Sequence, residues 1–553
     1  MSSLQHIADA LRRQADERPD EPALIVPTRK VNGRWRDRRT SWRELDRLVD
    51  RLAAGLQHHG LKPGMRVAFM VPPSLEFFAL FFALFRAGAV PVLIDPGIGL
   101  KPLKQCLGEA RPQVFIGINR AQIARLLMGW ARRSVEWTVT VGPRLWPGGV
   151  HYRDLLTAPL DAGQTPAVAA DDIAAILFTS GSTGIPKGVI YRHRHFLAQV
   201  ELVRNTYRIA PGEVDLPTFP PFALFDPALG MTTVIPKMDF TRPAKADPTM
   251  LVSLIEQYGV TNLFGSPALM NTLSRHLQRH DLKLPGLKRV LSAGAPVAPS
   301  TVERMLAALS PEADLHTPYG ATECLPVATI SGRELVGERA AAHRQGRGVC
   351  VGKALDANRI RIIRTDDRAI ETLERSVEVA RGEIGEICVS GPTVTDSYWE
   401  RETQTRLAKM TGPDGTIWHR MGDLGWLDDS GRLWYCGRKS ERVTISDAIT
   451  LYTECVEGIV NAVDGVYRSA LVGIGPSGRM RPVVIVEPES GVRPDALRLP
   501  ILERLQRYLP DGRIDTVLFH PSLPVDIRHN AKIRRPQLAE WAARRLRRRR
   551  ASS

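Results

Sequence analysis

LFTSGSTGIPKG, residues 177–188, ends an apolar, β-like run and then changes character within two residues. Thr179, Ser180, Ser182 and Thr183 offer hydroxyls, and Gly181 and Gly184 let backbone N–H groups approach an anion closely. Lys187 adds a point charge. A glycine-serine stretch by itself is commonly a linker. Here the order and density of donors, ending in Pro-Lys-Gly, point instead to a phosphate cradle. It is not a Walker A loop, because Pro186 precedes the lysine and Gly188 follows it where Ser or Thr belongs.

Outward from this stretch, β-rich and helical patterns alternate from about residue 40 to 400, as in layered α/β folds. MRVAFMV (65–71) predicts a strand, EFFALFFALFRAG (76–88) a helix and AVPVLIDP (89–96) a second strand. Further on, 248–259 predicts a helix, 260–267 a strand, NTLSRHLQRH a polar helix and 288–296 a short strand. A charged stretch over 364–383 reads as a loop or hairpin insertion. After residues 431–443 the pattern becomes a compact set of helices and short strands. The predicted division is therefore 1–437 and 438–553, with the boundary near Gly437–Ser440.

The chain has 553 residues, 43% hydrophobic and 24% charged, with a mean hydropathy of −0.15. That length predicts two to four domains. No window reaches ~18 uncharged apolar residues, the length a membrane helix needs. FFALFFALF (77–85) is flanked by Glu76 and Arg86, which predicts a buried helix. The first residues read as an amphipathic helix without the apolar core of a signal peptide, so a cytoplasmic location is expected. Six cysteines without a C-x-x-C pair read as buried, reduced thiols, with no structural zinc.

A net charge of +16 and a pI near 9.8 raise the question of nucleic acid. The dense run, Arg544–Arg550, has no nucleic-acid-binding signature beside it. It reads as a solvated tail, or one that meets an acidic partner or membrane surface, and no specific nucleic acid is expected.

Four further motifs follow the phosphate-loop stretch: SAGAP (292–296), TPYGATE (317–323), HRMGDLGWLDDSGRLWYCGR (419–438) and LPVDIRHNAKIRR (523–535). Together the five resemble those of the adenylate-forming superfamily, which contains acyl-CoA synthetases, peptide-synthetase adenylation domains and luciferases. The resemblance implies an α/β fold: a large, multi-subdomain ATP- and acyl-binding domain, and a small mobile α+β domain carrying a catalytic lysine. It also implies ATP and Mg²⁺. Thr179 to Gly184 and Lys187 would hold the β- and γ-phosphates. Gly294, Ala295 and Pro296 would lie by the adenine, with Tyr319 stacked on it and Gly320 alongside. Thr322 would meet the phosphate and Glu323 would hold Mg²⁺. Asp423 would accept from the ribose hydroxyls, Arg438 would steady ribose or phosphate, and Lys532 would bridge the carboxylate and the α-phosphate.

Departures from the family pattern bear on the second half-reaction. In GRKSERVTISD, Ser440 takes the hinge Lys/Asp position, Thr444 that of a lysine and Asp447 that of a glycine on the thiol route. Ala531 replaces the glycine before the catalytic lysine. In FPPFALFDPALG (219–230), Phe222 and Ala223 replace an aromatic–His gate, with Phe225 in the same acyl-pocket segment. The combination resembles the β-lactone synthetase branch of bacterial long-chain olefin biosynthesis. That implies a 2-alkyl-3-hydroxy fatty acid as substrate, whose own 3-hydroxyl displaces AMP, and an assembly with other olefin-pathway enzymes. His193 and His195 are candidates for the closing base or for structural roles. A long-chain acyl-CoA ligase, an acyl-AMP ligase that loads a carrier protein, and a basic polyanion-binding protein are the alternatives.

Overall fold

The structure, a computed structural model, describes residues 4–145, 148–159, 166–179, 186–512, 514–525 and 533–551. The sequence's alternating pattern resolves into a seven-stranded sheet and a 14-stranded ladder, with two smaller sheets near the C-terminus. In the seven-stranded sheet the neighbours are Val150–His151, Trp137–Val141, Val114–Ile118, Arg66–Met70, Val90–Ile94, Ile173–Thr179 and Lys187–Arg192. All these pairs are parallel except the last, Ile173–Thr179 with Lys187–Arg192. That antiparallel pair brings Thr179 opposite Lys187, so the stretch quoted above joins the two facing strand ends.

The helix Leu75–Arg86 explains how FFALFFALF is tolerated. Ser74 caps it, its hydroxyl accepting from the Phe77 N–H at 3.2 Å, and every residue from Phe77 to Arg86 is buried. Its terminal Arg86 stays charged inside because it reaches two carboxylates, Asp46 Oδ1 and Asp50 Oδ1, each at 2.7 Å. A buried cation is sustained only by such pairing. The helix Pro248–Tyr258 carries its own signals. Asp247 caps it, accepting from the Thr249 N–H at 2.9 Å, Pro248 occupies the first turn, and Gly259 closes it at φ +61°.

The large ladder runs through parallel strands Val214–Pro217, Asn262–Gly265 and Arg289–Ser292 to Asp314–Ala321, then continues antiparallel to Arg432–Arg438 and beyond. Past Arg438 the strands pair only among themselves: Val443–Ser446 with Ile449–Leu451, and Val466–Ile474, Arg481–Pro488 and Val517–Phe519 as a second sheet. Two hydrophobic clusters lie wholly within this C-terminal part.

The stretch between, Lys439–Glu441, is a single 3₁₀ turn fastened by ions on both sides. Lys439 Nζ meets Glu386 Oε1 at 2.9 Å and Arg442 meets Asp367 at 2.7 Å. Arg535 holds Glu441 and Glu457, both at 2.8 Å. The charged 364–383 stretch is a loop with one 3₁₀ turn, Leu373–Arg375, and its Asp366 and Asp367 take part in this fastening. The Arg-rich run, read as a solvated tail, forms the last turns of the helix Arg535–Ala551. Trp541, Ala542 and Leu546 pack that helix on the smaller sheet while Arg544, Arg545, Arg547 and Arg548 stay exposed. All six cysteines are buried free thiols. Among the described residues, no helix is long and apolar enough to cross a membrane.

Candidate active site

Lys187 starts its strand at the rim of a cleft of about 2130 Å³ that reaches from the phosphate-loop stretch to the C-terminal body. Ser180, Gly181, Ser182, Thr183 and Gly184 lie outside the described residues, as does the side chain of Thr179. The glycine after the lysine has a packing reason. A Cβ on Gly188 would stand 2.9 Å from Ile176 and 3.0 Å from Phe178, closer than real contacts allow.

Lys187 and Glu323 are joined through a residue that the sequence did not single out. The Lys187 ammonium sits 5.1 Å above the ring of Tyr398, and the Tyr398 hydroxyl donates to Glu323 Oε1 at 2.7 Å. Glu323 follows Thr322 in the turn between strands Asp314–Ala321 and Cys324–Ser331. Its carbonyl accepts from both the N–H and the hydroxyl of Thr395 at 3.0 Å. Burial lowers the Lys187 pKa, against the pull of Glu323. Behind this group lies buried Lys409, which donates to the Thr395 carbonyl, and whose pKa burial pushes down to about 8. Tyr398 and Lys409 lie 75 and 86 positions beyond Glu323. The aromatic pair Tyr398–Trp399 in a polar stretch was the available signal for the first. Nothing in LAKM distinguishes Lys409 from a surface lysine.

A second constellation lines the same cleft. Asp423 and Arg438 are register partners on neighbouring strands, and their side chains pair at 2.8 Å. Tyr319 donates to the other Asp423 oxygen at 2.7 Å. Each carboxylate oxygen accepts more than one hydrogen bond, so Asp423 keeps capacity for further hydroxyls. Asp423 raises the Arg438 pKa further still. Gly294, at φ +96°, lines the same cleft with Ala295, Pro296 and Gly320. At Gly320 a Cβ would meet the Cys324 carbonyl at 2.7 Å.

On the acyl side, Phe222 lies flat on Phe264, with ring centroids 4.0 Å apart at 18°. Phe222 and Phe225 line the cleft. Ala223 does not: it packs into the main hydrophobic core, because the helix Pro220–Ala223 turns its small residue inward. His193 and His195 stand apart from the cleft, where burial pushes both down to about 4. His193 packs against His6 and Phe85, and His195 Nδ1 accepts from the Arg192 N–H at 2.9 Å. Both are structural.

The cleft wall also holds two carboxyls, Asp215 and Asp226, hydrogen-bonded to each other. Thr233 donates to Asp226 at 2.9 Å. Burial pushes Asp215 up to about 7 and Asp226 higher, which is the behaviour of like groups in one site. A folded-state pKa above the unfolded value means full stability below about pH 4 and a progressive loss as pH rises through about 7. The double variant Asp215→Asn with Asp226→Asn removes that titration. Its Tm relative to wild type should rise between pH 5 and pH 8, by roughly 2 °C or more, in thermal melts across that range. A gap constant with pH would refute the shared proton.

Toward the C-terminal body, Ser440 lines the cleft. Thr444 lies within a hairpin strand and Asp447 is exposed at the hairpin turn. In this arrangement Asp447 does not border the cleft. Ala531 and Lys532 lie outside the described residues. Their flanks do not: Ile533, Arg534 and Arg535 line the cleft, and Val525 bridges to Ile533.

A large layered α/β body, a small C-terminal body and a cleft lined by residues of both fit an adenylate-forming enzyme, an ATP-dependent, AMP-forming ligase. Residues 11–399 match the model of the AMP-binding enzyme family, and the chain belongs to that family. It is 51% identical over 555 residues to an olefin beta-lactone synthetase of Xanthomonas campestris pv. campestris, covering 98% of each chain. It is 50% identical to an olefin beta-lactone synthetase of Stenotrophomonas maltophilia, over 98% of this chain and 99% of that one. Among solved structures, the amide bond synthetase McbA of Marinactinospora thermotolerans superposes with a TM-score of 0.78 at 22% identity, over 97% of this chain and 99% of the other. That likeness concerns the fold.

Proposed function

We propose that this chain activates a long-chain 2-alkyl-3-hydroxy fatty acid with ATP and closes the acyl-AMP to a β-lactone. The observation that carries this is near-full-length identity of about half to two olefin beta-lactone synthetases, joined to a cleft lined by Lys187, Glu323, Asp423 and Arg438.

In the first step a carboxylate oxygen bonds to the α-phosphorus, the bond from that phosphorus to the bridging oxygen breaks, and pyrophosphate leaves. The protein's contribution is alignment and charge neutralisation. Lys187 and the donors from Thr179 to Gly184 hold the β- and γ-phosphates. Thr322 meets the α-phosphate, with Lys532 between it and the carboxylate. Asp423 and Arg438 hold the ribose, and Tyr319, Gly294, Ala295 and Pro296 take the base. Glu323 has an oxygen beyond the one that Tyr398 occupies, and Mg²⁺ needs only one or two protein carboxylates beside phosphate oxygens. Bound there, Mg²⁺ would neutralise phosphate charge.

In the second step the 3-hydroxyl oxygen bonds to the acyl carbon, the acyl–AMP bond breaks and the hydroxyl proton is released. An intramolecular nucleophile gains a large effective concentration when the walls force the closing geometry. Phe222 and Phe225 are the walls assigned to this task. The 1–437 and 438–553 bodies act as separate domains about the turn at Lys439–Glu441, the smaller delivering Lys532. A cytoplasmic location and assembly with other olefin-pathway enzymes complete this proposal.

The test is product analysis by NMR after incubation with ATP, Mg²⁺ and a racemic 2-alkyl-3-hydroxy acid without any thiol. A β-lactone with equimolar AMP and pyrophosphate is expected. Strong stimulation by CoA with an acyl-CoA product, or transfer only to a carrier protein, would replace this proposal with one of the ligase alternatives.

A further inference from the structure

Two helices on the seven-stranded sheet, Leu100–Ala110 and Asn119–Met128, contribute Leu103, Leu107, Ala121 and Ala124 to one hydrophobic cluster, joined by Trp130 just beyond the second. Their outer sides are unlike the rest of the surface. Ile123, Leu126 and Leu127 stand at i, i+3 and i+4, one helix face, with exposures of 47%, 51% and 80%. Leu100, at the start of the neighbouring helix, is 58% exposed. Lys104, one turn beyond Leu100, brings its ammonium to Gly129, 3.9 Å from where a Cβ would stand. The two apolar groups therefore belong to one surface.

That surface is rimmed by cations. Residues 97–135 contain seven Lys or Arg and one acid, Glu109, and Glu109 is already held by Arg401 at 2.6 Å. Lys101, Lys104, Arg132 and Arg133 are all exposed. Contiguous exposed aliphatic side chains mark an interaction site. With a cationic rim they match an amphipathic surface that lies on anionic lipid. A second copy meeting the same patch across a two-fold axis would set these cations against each other. The exposed apolar residues are aliphatic, and the nearby Trp130 is buried, whereas protein hot spots favour Trp, Tyr and Arg.

We propose that this face docks the enzyme on an anionic membrane surface. Gly97, Ile98 and Pro102 line the cleft and flank Leu100 in sequence, so the docked face adjoins the cleft mouth. An acid with two alkyl chains partitions into lipid; this advantage rests on the proposed substrate, but the docking itself does not. The test uses the full chain without ATP or acid, so its failure is distinct from failure of the lactone proposal.

In flotation with vesicles of phosphatidylglycerol and phosphatidylcholine, wild type is expected to bind, and to bind more weakly in high salt. Pure phosphatidylcholine vesicles should bind little. The double variant Leu126→Glu with Leu127→Glu should bind anionic vesicles about tenfold less or weaker, with unchanged ATP–pyrophosphate exchange on dispersed substrate. Lys101→Gln with Lys104→Gln should reduce binding while keeping the apolar face. Absence of wild-type binding, or equal binding by the Leu126/Leu127 variant, overturns the proposal. So does a wild-type dimer in sedimentation that this variant dissolves without any vesicle binding, which would assign the face to a second copy.

Discussion

Lys532→Ala is expected to leave ATP binding largely intact and to lower substrate-dependent ATP–pyrophosphate exchange by about a hundredfold to a thousandfold, the usual cost of losing one preorganised charge at a transition state. Val525 and Ile533, on either side of the stretch that carries Lys532 in sequence, form a bridge. Arg535, three residues on, is locked to Glu441 and Glu457 at 2.8 Å; burial works to lower its pKa, and those carboxylates overcome it and raise the pKa above the usual arginine value. The proposed triphosphate contacts come from Lys187 and residues 179–184 rather than from Lys532, so affinity for ATP should survive the substitution. Isothermal titration separates the two effects. Exchange at the wild-type rate would remove Lys532 from the chemistry and would leave the C-terminal body without an assigned role in adenylation.

The second large effect is on stability. Glu386→Ala should cost about 3–5 kcal/mol, the range for deleting one partner of a buried ion pair. Glu386 and Arg420 pair at 2.6 Å with both side chains 1% exposed, and Lys439 meets the other Glu386 oxygen. Removal of the carboxylate leaves two cations facing each other out of water. Arg420 retains the carbonyls of Arg368 at 2.7 Å and Leu407 at 3.2 Å, which satisfy Nη1 but leave Nε without the Glu386 acceptor and supply no counter-charge. Glu386→Gln should therefore recover only part of the loss. Urea unfolding followed by tryptophan fluorescence reads the difference. A cost below about 1 kcal/mol, the value of an exposed pair, would mean that water reaches the group.

Much of the fold was legible because its signals are local. FFALFFALF, the strands flanking it and the helix with Asp247, Pro248 and Gly259 each carry their periodicity and caps within about a dozen residues. The site was legible where a motif is contiguous: Lys187, Thr322, Glu323, Asp423 and Arg438 all border one cleft. What escaped depends on distant closure. Tyr398 meets Glu323 only because its segment bridges Val189, across the sheet. Lys409 is buried by neighbours the sequence does not reveal. Asp226 sits at the start of a helix inside a stretch that was read for its aromatics, and its partner Asp215 is on the strand Val214–Pro217. The Arg-rich run was read from its charges as a solvated tail; Trp541 and Leu546, outside or between those charges, are the apolar contacts that set it as a helix against a sheet.

The turn after Arg438 has a mechanical consequence. Lys439 is held to the larger body through Glu386, and Glu441 to the smaller through Arg535. Ser440 alone stands between these anchors. In the proposed swing of one body against the other, the pivot would be one residue long, with two backbone torsions to set its axis. Arg442 on Asp367, whose carboxylate is 67% exposed, is open to ions from solution, whereas Arg504 on the Arg344 carbonyl at 2.9 Å and the packing of Gly458 against His343 tie the same two parts without an ion pair. Added salt should therefore weaken the first tie and leave the other two.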